Sequence, residues 1–375
     1  MPELTPHIIA ERPGRVGLIT LNRPQAHNAL SLDMVRALTA ALLAWRDDPS
    51  VLAVAIRGQR KGRAGEAPAV PFGVFSAGGD IRYFHRAALA GDPTLEDFFT
   101  EEYTLDHWVH TYPKPVIAFM DGLVYGGGMG IAQGASVRVV TPGTRIAMPE
   151  THIGLFPDVG GGWFLSRCPG RWGEYLALTG REIGGAEAVR IGLADRMVDA
   201  AQLPGLWDAL ARTELASSAQ ANQLVASSII ANNDHLTGAD DQIDSYFSLD
   251  SVSAIVQALE AATSDWARET AALLRLRSPL MLAVALEQVR RGRSLGLADT
   301  LRMERDMMRH CFHPAHLGRS GASSETVEGI RALVIDKDRQ PRWQPQRIED
   351  VTPDMVAPFF QTPWPAHAHP LRFLA

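Results

Sequence analysis

Cysteine is nearly absent: Cys168 and Cys311 are the only two among 375 residues. Two thiols are too few for a disulfide framework or a cysteine-based metal site, and they fit a reducing compartment. Long apolar runs are missing as well. No stretch approaches the ~18 residues a membrane span needs, so no membrane partner is expected. The opening MPELTPHIIAERPGR carries an acid at Glu3 and lacks the apolar centre of a signal peptide. It also lacks the Arg/Ser-rich, acid-free character of a transit peptide. The closing PLRFLA holds no lipidation or retention signal. The expectation is therefore a cytoplasmic protein. Excess positive charge is absent too: 36 basic against 42 acidic residues leave −6. That balance lacks the electrostatic footprint of a nucleic-acid binder. Three catalytic signatures are also missing: the phosphate loop, the His-Glu-x-x-His zinc helix and the Gly-x-Ser-x-Gly nucleophile elbow.

What remains is globular. Apolar residues make up 46% and charged residues 21%, enough for an ordinary buried core. The length allows one large domain with a long appendage, or two domains. Short apolar runs at 16–22 (VGLITLN), 51–57 (VLAVAIR) and 116–120 (VIAFM) read as strands. Weaker strand candidates lie at 137–140 and 145–148. Ser31 is placed to cap a helix through Met34, Leu38, Leu42 and Trp45. Strands separated by helices predict crossover connections and an α/β fold. From Ala186 onward the pattern becomes mainly helical, with periodic segments at 252–259 and 282–289 and a helix start at Ser278-Pro279. Residues 332–335 (ALVI) predict one further short strand. Residues 59–71 (QRKGRAGEAPAVP) read as an exposed loop.

Three segments could carry chemistry. Two are glycine turns: Ser76-Ala77-Gly78-Gly79-Asp80 and Gly126-Gly127-Gly128-Met129-Gly130. Glycine lets backbone approach a ligand closely. Backbone N–H groups at such turns can hold a developing oxyanion, although tight turning or close packing would account for each turn taken singly. The third segment runs from Met148 to Gly162. It places Glu150 and Asp158 eight residues apart in an apolar, Gly/Pro-broken stretch. Buried acids need partners or an altered pKa, and a pair can divide into proton donor and acceptor. Surface or helix-capping acids would fit the same spacing. Nothing marks His152 as a base.

The three segments occur together with Leu21-Asn22-Arg23-Pro24, Asn28-Ala29-Leu30 and Lys114-Pro115-Val116-Ile117-Ala118. In this order they resemble the crotonase (enoyl-CoA hydratase/isomerase) superfamily. Within it, Glu101-Glu102-Tyr103 and the run from Ile153 to Gly162 resemble the 3-hydroxyisobutyryl-CoA hydrolase branch. Further matches follow at Ile243-Asp244-Ser245, Met303-Glu304, the run from Glu328 to Ala332 and the run from Ile335 to Asp338. Residues 59–71 and 363–375 depart from the pattern.

The resemblance implies a crotonase-like spiral of ββα units over residues 1–200. A helical region over 201–375 would then cover the acyl site. It implies an acyl-CoA substrate, with coenzyme A entering as part of that substrate and no separate cofactor or metal. The N–H groups of Gly79 and Gly127 would form the oxyanion hole, and Ala77 would be among the substrate-binding residues. Glu150 and Asp158 would be the catalytic acids, and Glu102 a further acid near the acyl group. Glu150 would activate water or attack directly. Hydratases of the superfamily use two glutamates, the first of them two residues after the triple glycine and the second at the position of Glu150. Here the first position is Gly130. The expected activity is therefore thioester hydrolysis of a short 3-hydroxyacyl-CoA. The alternatives are a hydratase or isomerase, and a non-catalytic acyl-CoA-binding protein. Superfamily members commonly form trimers or pairs of trimers, so a homo-oligomer is allowed.

Overall fold

The computed structural model describes residues 6–226 and 239–375. These residues form two compact units, each drawn from separated stretches of the chain.

The first unit takes in 6–79, 104–147 and 182–226. Its strands are β1 (Ile8–Glu11), β2 (Val16–Leu21), β3 (Ala53–Lys61), β4 (Ala69–Pro71), β5 (Val74–Ser76), β6 (Val116–Met120), β7 (Leu123–Tyr125), β8 (Val137–Val140), β9 (Arg145–Ala147), β10 (Ile183–Gly184) and β11 (Arg196–Met197). The larger sheet has the order β1-β2-β3-β6-β8-β11, with β4 paired to β3, and is parallel from β2 onward. The smaller sheet has the order β10-β9-β7-β5. β3, β6 and β8 join the larger sheet, and the strands that follow them, β5, β7 and β9, join the smaller one. This alternation is the ββα spiral. A parallel strand is covered on both faces and so reads as an unbroken apolar run. All six residues of β2 and all five of β6 are buried accordingly. Behind β2, β3 and β6, Trp207 packs edge-on to Phe119 at 5.9 Å and to Phe72 at 6.2 Å.

Strand and cap expectations match closely. β6 and β8 have the bounds read from the sequence. Ser31 Oγ accepts the Met34 N–H at 3.3 Å at the start of the helix Leu32–Arg46. Ser278 and Pro279 open the helix Pro279–Gly292.

Two expectations are corrected. Residues 59–71 are not a loop throughout: β3 continues to Lys61 and pairs with β4, Lys61 opposite Ala69. Their Gly/Pro-rich, charged composition hides a hairpin held by backbone bonds. The turn is further tied by Arg60, which donates to both oxygens of Glu66 at 2.6 and 2.8 Å. Residues 332–335 are not a strand either. They form a wide helical turn, Arg331–Ile335, in which the Asp336 N–H reaches the Arg331 carbonyl at 2.8 Å. Four apolar residues carry no period that separates strand from helix. Arg331 decides the geometry by binding Glu328, Asp336 and Asp338.

Asn28 braces the edge of the smaller sheet. It is fully buried with φ +55. Its Nδ2 donates to the carbonyls of Gln59, Val74 and Phe75 at 2.8–3.0 Å, and its Oδ1 accepts the Arg23 N–H at 2.9 Å. Asn28→Ala should leave these buried groups without partners and cost about 1–3 kcal/mol. A denaturant titration checks this, and an unchanged midpoint would contradict the bracing role.

The second unit takes in 80–103, 148–181 and 239–375 and is predominantly helical. Its long members include Pro279–Gly292 and Leu297–Phe312. Among the described residues, no helix is long and apolar enough to cross a membrane.

Candidate active site

In the first unit, the two glycine turns are built against each other. β5 ends at Ser76, whose Oγ donates to the Asn28 carbonyl at 2.9 Å and accepts the Gly78 N–H at 3.2 Å. The Ala77 N–H is used by the His27 carbonyl at 2.9 Å, and the Gly78 carbonyl accepts the Leu30 N–H at 2.8 Å. The Asn-Ala-Leu motif thus holds the first turn in place. Gly78 has φ +93, and a Cβ there would stand 3.1 Å from the Tyr125 carbonyl oxygen and 3.4 Å from the Gly127 nitrogen. Only glycine allows this approach.

Gly127 opens the helix Gly127–Gly134, so its N–H precedes the helical ladder. The Met129 and Gly130 N–H groups already share the Gly126 carbonyl. Among the described residues, no hydrogen bond takes up the N–H of Gly79 or Gly127. Two such donors at one corner suit an oxygen that gains charge. Gly130 lies buried within the same helix and offers no carboxylate.

The acids belong to the second unit. Glu150 opens the short turn Glu150–Ile153, and Asp158 follows a Phe-Pro pair; both are only 6% exposed. Glu150 Oε2 is buried without a hydrogen-bond partner among the described residues. Asp158 accepts the Tyr103 hydroxyl at 2.9 Å. Burial and the charge of Asp158 push Glu150 well above the ordinary carboxyl range. Burial also raises Asp158, against the opposing pull of the Tyr103 hydrogen bond. Two buried acids that feel each other's charge retain a proton to higher pH than either would alone in water. One can accept a proton while the other gives one.

Glu102 neighbours Tyr103 on the helix Thr94–His110 and is buried at 2% exposure. Tyr103 is itself raised by burial first, then by the charges of Asp158, Glu304 and Glu102. Glu150, Asp158 and Glu102 are the acids the sequence singles out, whereas Tyr103 and Glu304 stand there only inside runs that resemble the family. His152 belongs to the packing. Its Nε2 meets the Thr179 carbonyl at 3.3 Å, and burial and Arg277 lower it to about 4.

Nearly the whole chain is similar to known proteins. A family model described as enoyl-CoA hydratase/isomerase matches residues 16–360. A Xenopus tropicalis protein named "3-hydroxyisobutyryl-CoA hydrolase, mitochondrial" is 38% identical, with 92% of this chain and 86% of the relative covered. An Arabidopsis thaliana protein named "Probable 3-hydroxyisobutyryl-CoA hydrolase 2" is 39% identical, covering 94% and 91%. The crystal structure titled as a carnitinyl-CoA dehydratase from Mycobacterium thermoresistibile superposes with a TM-score of 0.82 at 36% identity, covering 95% and 97%. The spiral, the facing glycine turns and the match across most of the sequence place this chain in the enoyl-CoA hydratase/isomerase family.

Proposed function

We propose that the protein is an acyl-CoA thioester hydrolase whose substrate is 3-hydroxyisobutyryl-CoA, an intermediate of valine breakdown. The observation that carries this reading is the buried Glu150–Asp158 pair combined with the side-chain-free Gly130. Adding water across a double bond in this superfamily takes a further glutamate at that position. Cleaving a thioester takes an oxyanion hole, one base and a proton source.

In this reading the Gly79 and Gly127 N–H groups receive the thioester oxygen as it becomes negative. One such donor is typically worth ~3–4 kcal/mol of barrier. Glu150 takes a proton from water, or attacks the carbonyl itself and forms an anhydride. Asp158 orients the water or the acyl hydroxyl and exchanges protons with Glu150. Glu102 contacts the hydroxyl or supports the pair, and Ala77 lies along the acyl-CoA. The thiolate of coenzyme A leaves and is protonated. This chemistry draws on no separate metal or redox cofactor, nucleic acid or membrane. A homo-oligomer and a cytoplasmic location remain part of the reading, although the Xenopus tropicalis relative is named mitochondrial.

The solved structure's title names a dehydratase, which favours hydration–dehydration as a second reading. Thiol release and enoyl absorbance separate the two. The expected result is free thiol from 3-hydroxyisobutyryl-CoA, with no loss of crotonyl-CoA absorbance. Absorbance loss without thiol would establish the second reading. Tight acyl-CoA binding without turnover of any acyl chain would indicate a non-catalytic binder.

A further inference from the structure

Asp158 sits at the start of a turn that does not hold itself. Val159, a β-branched residue, has φ +54, and Gly160 has φ +86. Left-handed backbone is unfavourable for a β-branched side chain and persists where the surroundings over-determine it. One bond is internal to the turn, from the Gly161 N–H to the Asp158 carbonyl at 2.7 Å. Three further backbone groups are met from two distant helices. Glu304, on Leu297–Phe312, accepts the Gly160 N–H at 2.7 Å on Oε2 and the Gly162 N–H at 2.8 Å on Oε1. Gln288, on Pro279–Gly292, donates from Nε2 to the Pro157 carbonyl at 2.6 Å and to Glu304 Oε1 at 2.8 Å. Both side chains are wholly buried.

The choice of residue is informative. Two N–H groups converge on two oxygens of one side chain, which a carboxyl group presents and an amide does not. The cost is a buried acid, pushed by its burial up to about 8. Gly162 has no side chain where a Cβ would lie 3.1 Å from Glu304 Oε1 and 3.2 Å from Gln288 Cγ. An expensive group in a space kept open for it indicates a task beyond packing.

We propose that Glu304 and Gln288 are positioning residues for Asp158, clamping both flanks of the strained turn so that its carboxylate stays on the Tyr103 hydroxyl. The inference rests on the hydrolase reading above. Four titratable neighbours face Asp158 or feel its charge: Tyr103 on Thr94–His110, Glu150 on the preceding turn, and Glu304 and Cys311 on Leu297–Phe312. Glu102 acts on the same group through its charge on Tyr103. Within this set, the charge of Asp158 helps to raise Glu304, so Asp158 ionises while Glu304 still holds its proton. The clamp therefore bears on the geometry of the acid pair.

The test is thiol release from 3-hydroxyisobutyryl-CoA across pH by wild type, Glu304→Gln, Glu304→Asp and Gln288→Leu. Misplacing a reacting group by ~1 Å costs on the order of 100-fold. Glu304→Gln should lower kcat by about 10- to 100-fold with KM nearly unchanged and the acid limb in place. Glu304→Asp, which keeps two acceptor oxygens, should regain part of the rate. Gln288→Leu should lower kcat without moving the limb. A folded Glu304→Gln with wild-type kcat, or with its whole loss in KM, overturns the proposal. If Glu304→Gln does not fold, Gln288→Leu decides by the same kcat criterion. Absence of thiol release by wild type refutes the hydrolase reading instead, so the two failures are told apart.

Discussion

Glu150→Gln should lower kcat for 3-hydroxyisobutyryl-CoA by about 10²–10⁴-fold, the usual worth of a positioned acid or base, in a chain that still folds. The substitution keeps shape and burial. Its fold-bearing bond is the Glu150 carbonyl, which accepts the Leu155 N–H at 3.0 Å, and this is untouched. What is lost is a buried oxygen, Oε2, with no hydrogen-bond partner among the described residues. A buried acceptor left open is costly in a folded protein, and an incoming water or acyl carbon gives it a use. The amide can neither take a proton from water nor form an anhydride, so both chemical routes fail together. Turnover of the wild type in ¹⁸O-water tests the anhydride route: label entering the Glu150 carboxyl marks an anhydride opened by water at the Glu150 carbonyl. Full activity in the glutamine variant would remove Glu150 from the chemistry.

The acids were readable from the sequence because they occur in a short segment with a local pattern. The residues that hold them were not. Glu304 contacts Gly160 across 144 positions, and Gln288 contacts Pro157 across 131. No spacing rule reaches that far. A weaker signal was present on the helices themselves. Leu301, Glu304, Met308 and Cys311 form one buried stripe at helical spacing, as do Met281, Ala285, Gln288 and Gly292. A polar residue on an apolar stripe needs a buried partner, so each marked a question that only the fold could answer.

The spiral showed the same division. β2 and β6 emerge from runs covered on both faces, and Ser31 and Ser278 announce helices through their own side chains. The 59–71 hairpin and the 331–335 turn depend instead on backbone pairing and on Arg60 and Arg331. Those cations choose among several nearby acids, and the sequence does not show which choice is made.

Asp158→Asn should give a protein that is slower and, at alkaline pH, more stable. In the folded chain, burial raises the Asp158 carboxyl to near neutral, while in the unfolded chain it ionises near 4. Between those limits the folded state binds more protons than the unfolded state. Stability therefore falls as pH rises from about 4 through neutrality. It is fully present only below the unfolded value. Asparagine is neutral throughout and can still accept the Tyr103 hydroxyl, so the variant escapes that loss. At ~1.4 kcal/mol for each tenfold change in acidity, its melting temperature should exceed wild type by several degrees at pH 8 and converge with it near pH 4. Catalysis should move the opposite way. Losing the proton partner of Glu150 should lower kcat by about 10²-fold or more. Wild-type kcat/KM should climb through an acid limb well above the ordinary carboxylate range, because the pair must lose its shared proton before it can accept one. Equal melting curves at pH 8, or an acid limb at the pH of a free carboxylate, would show that Asp158 is not the raised acid described here. Higher stability with lower turnover is the signature expected of a charge buried for chemistry rather than for folding.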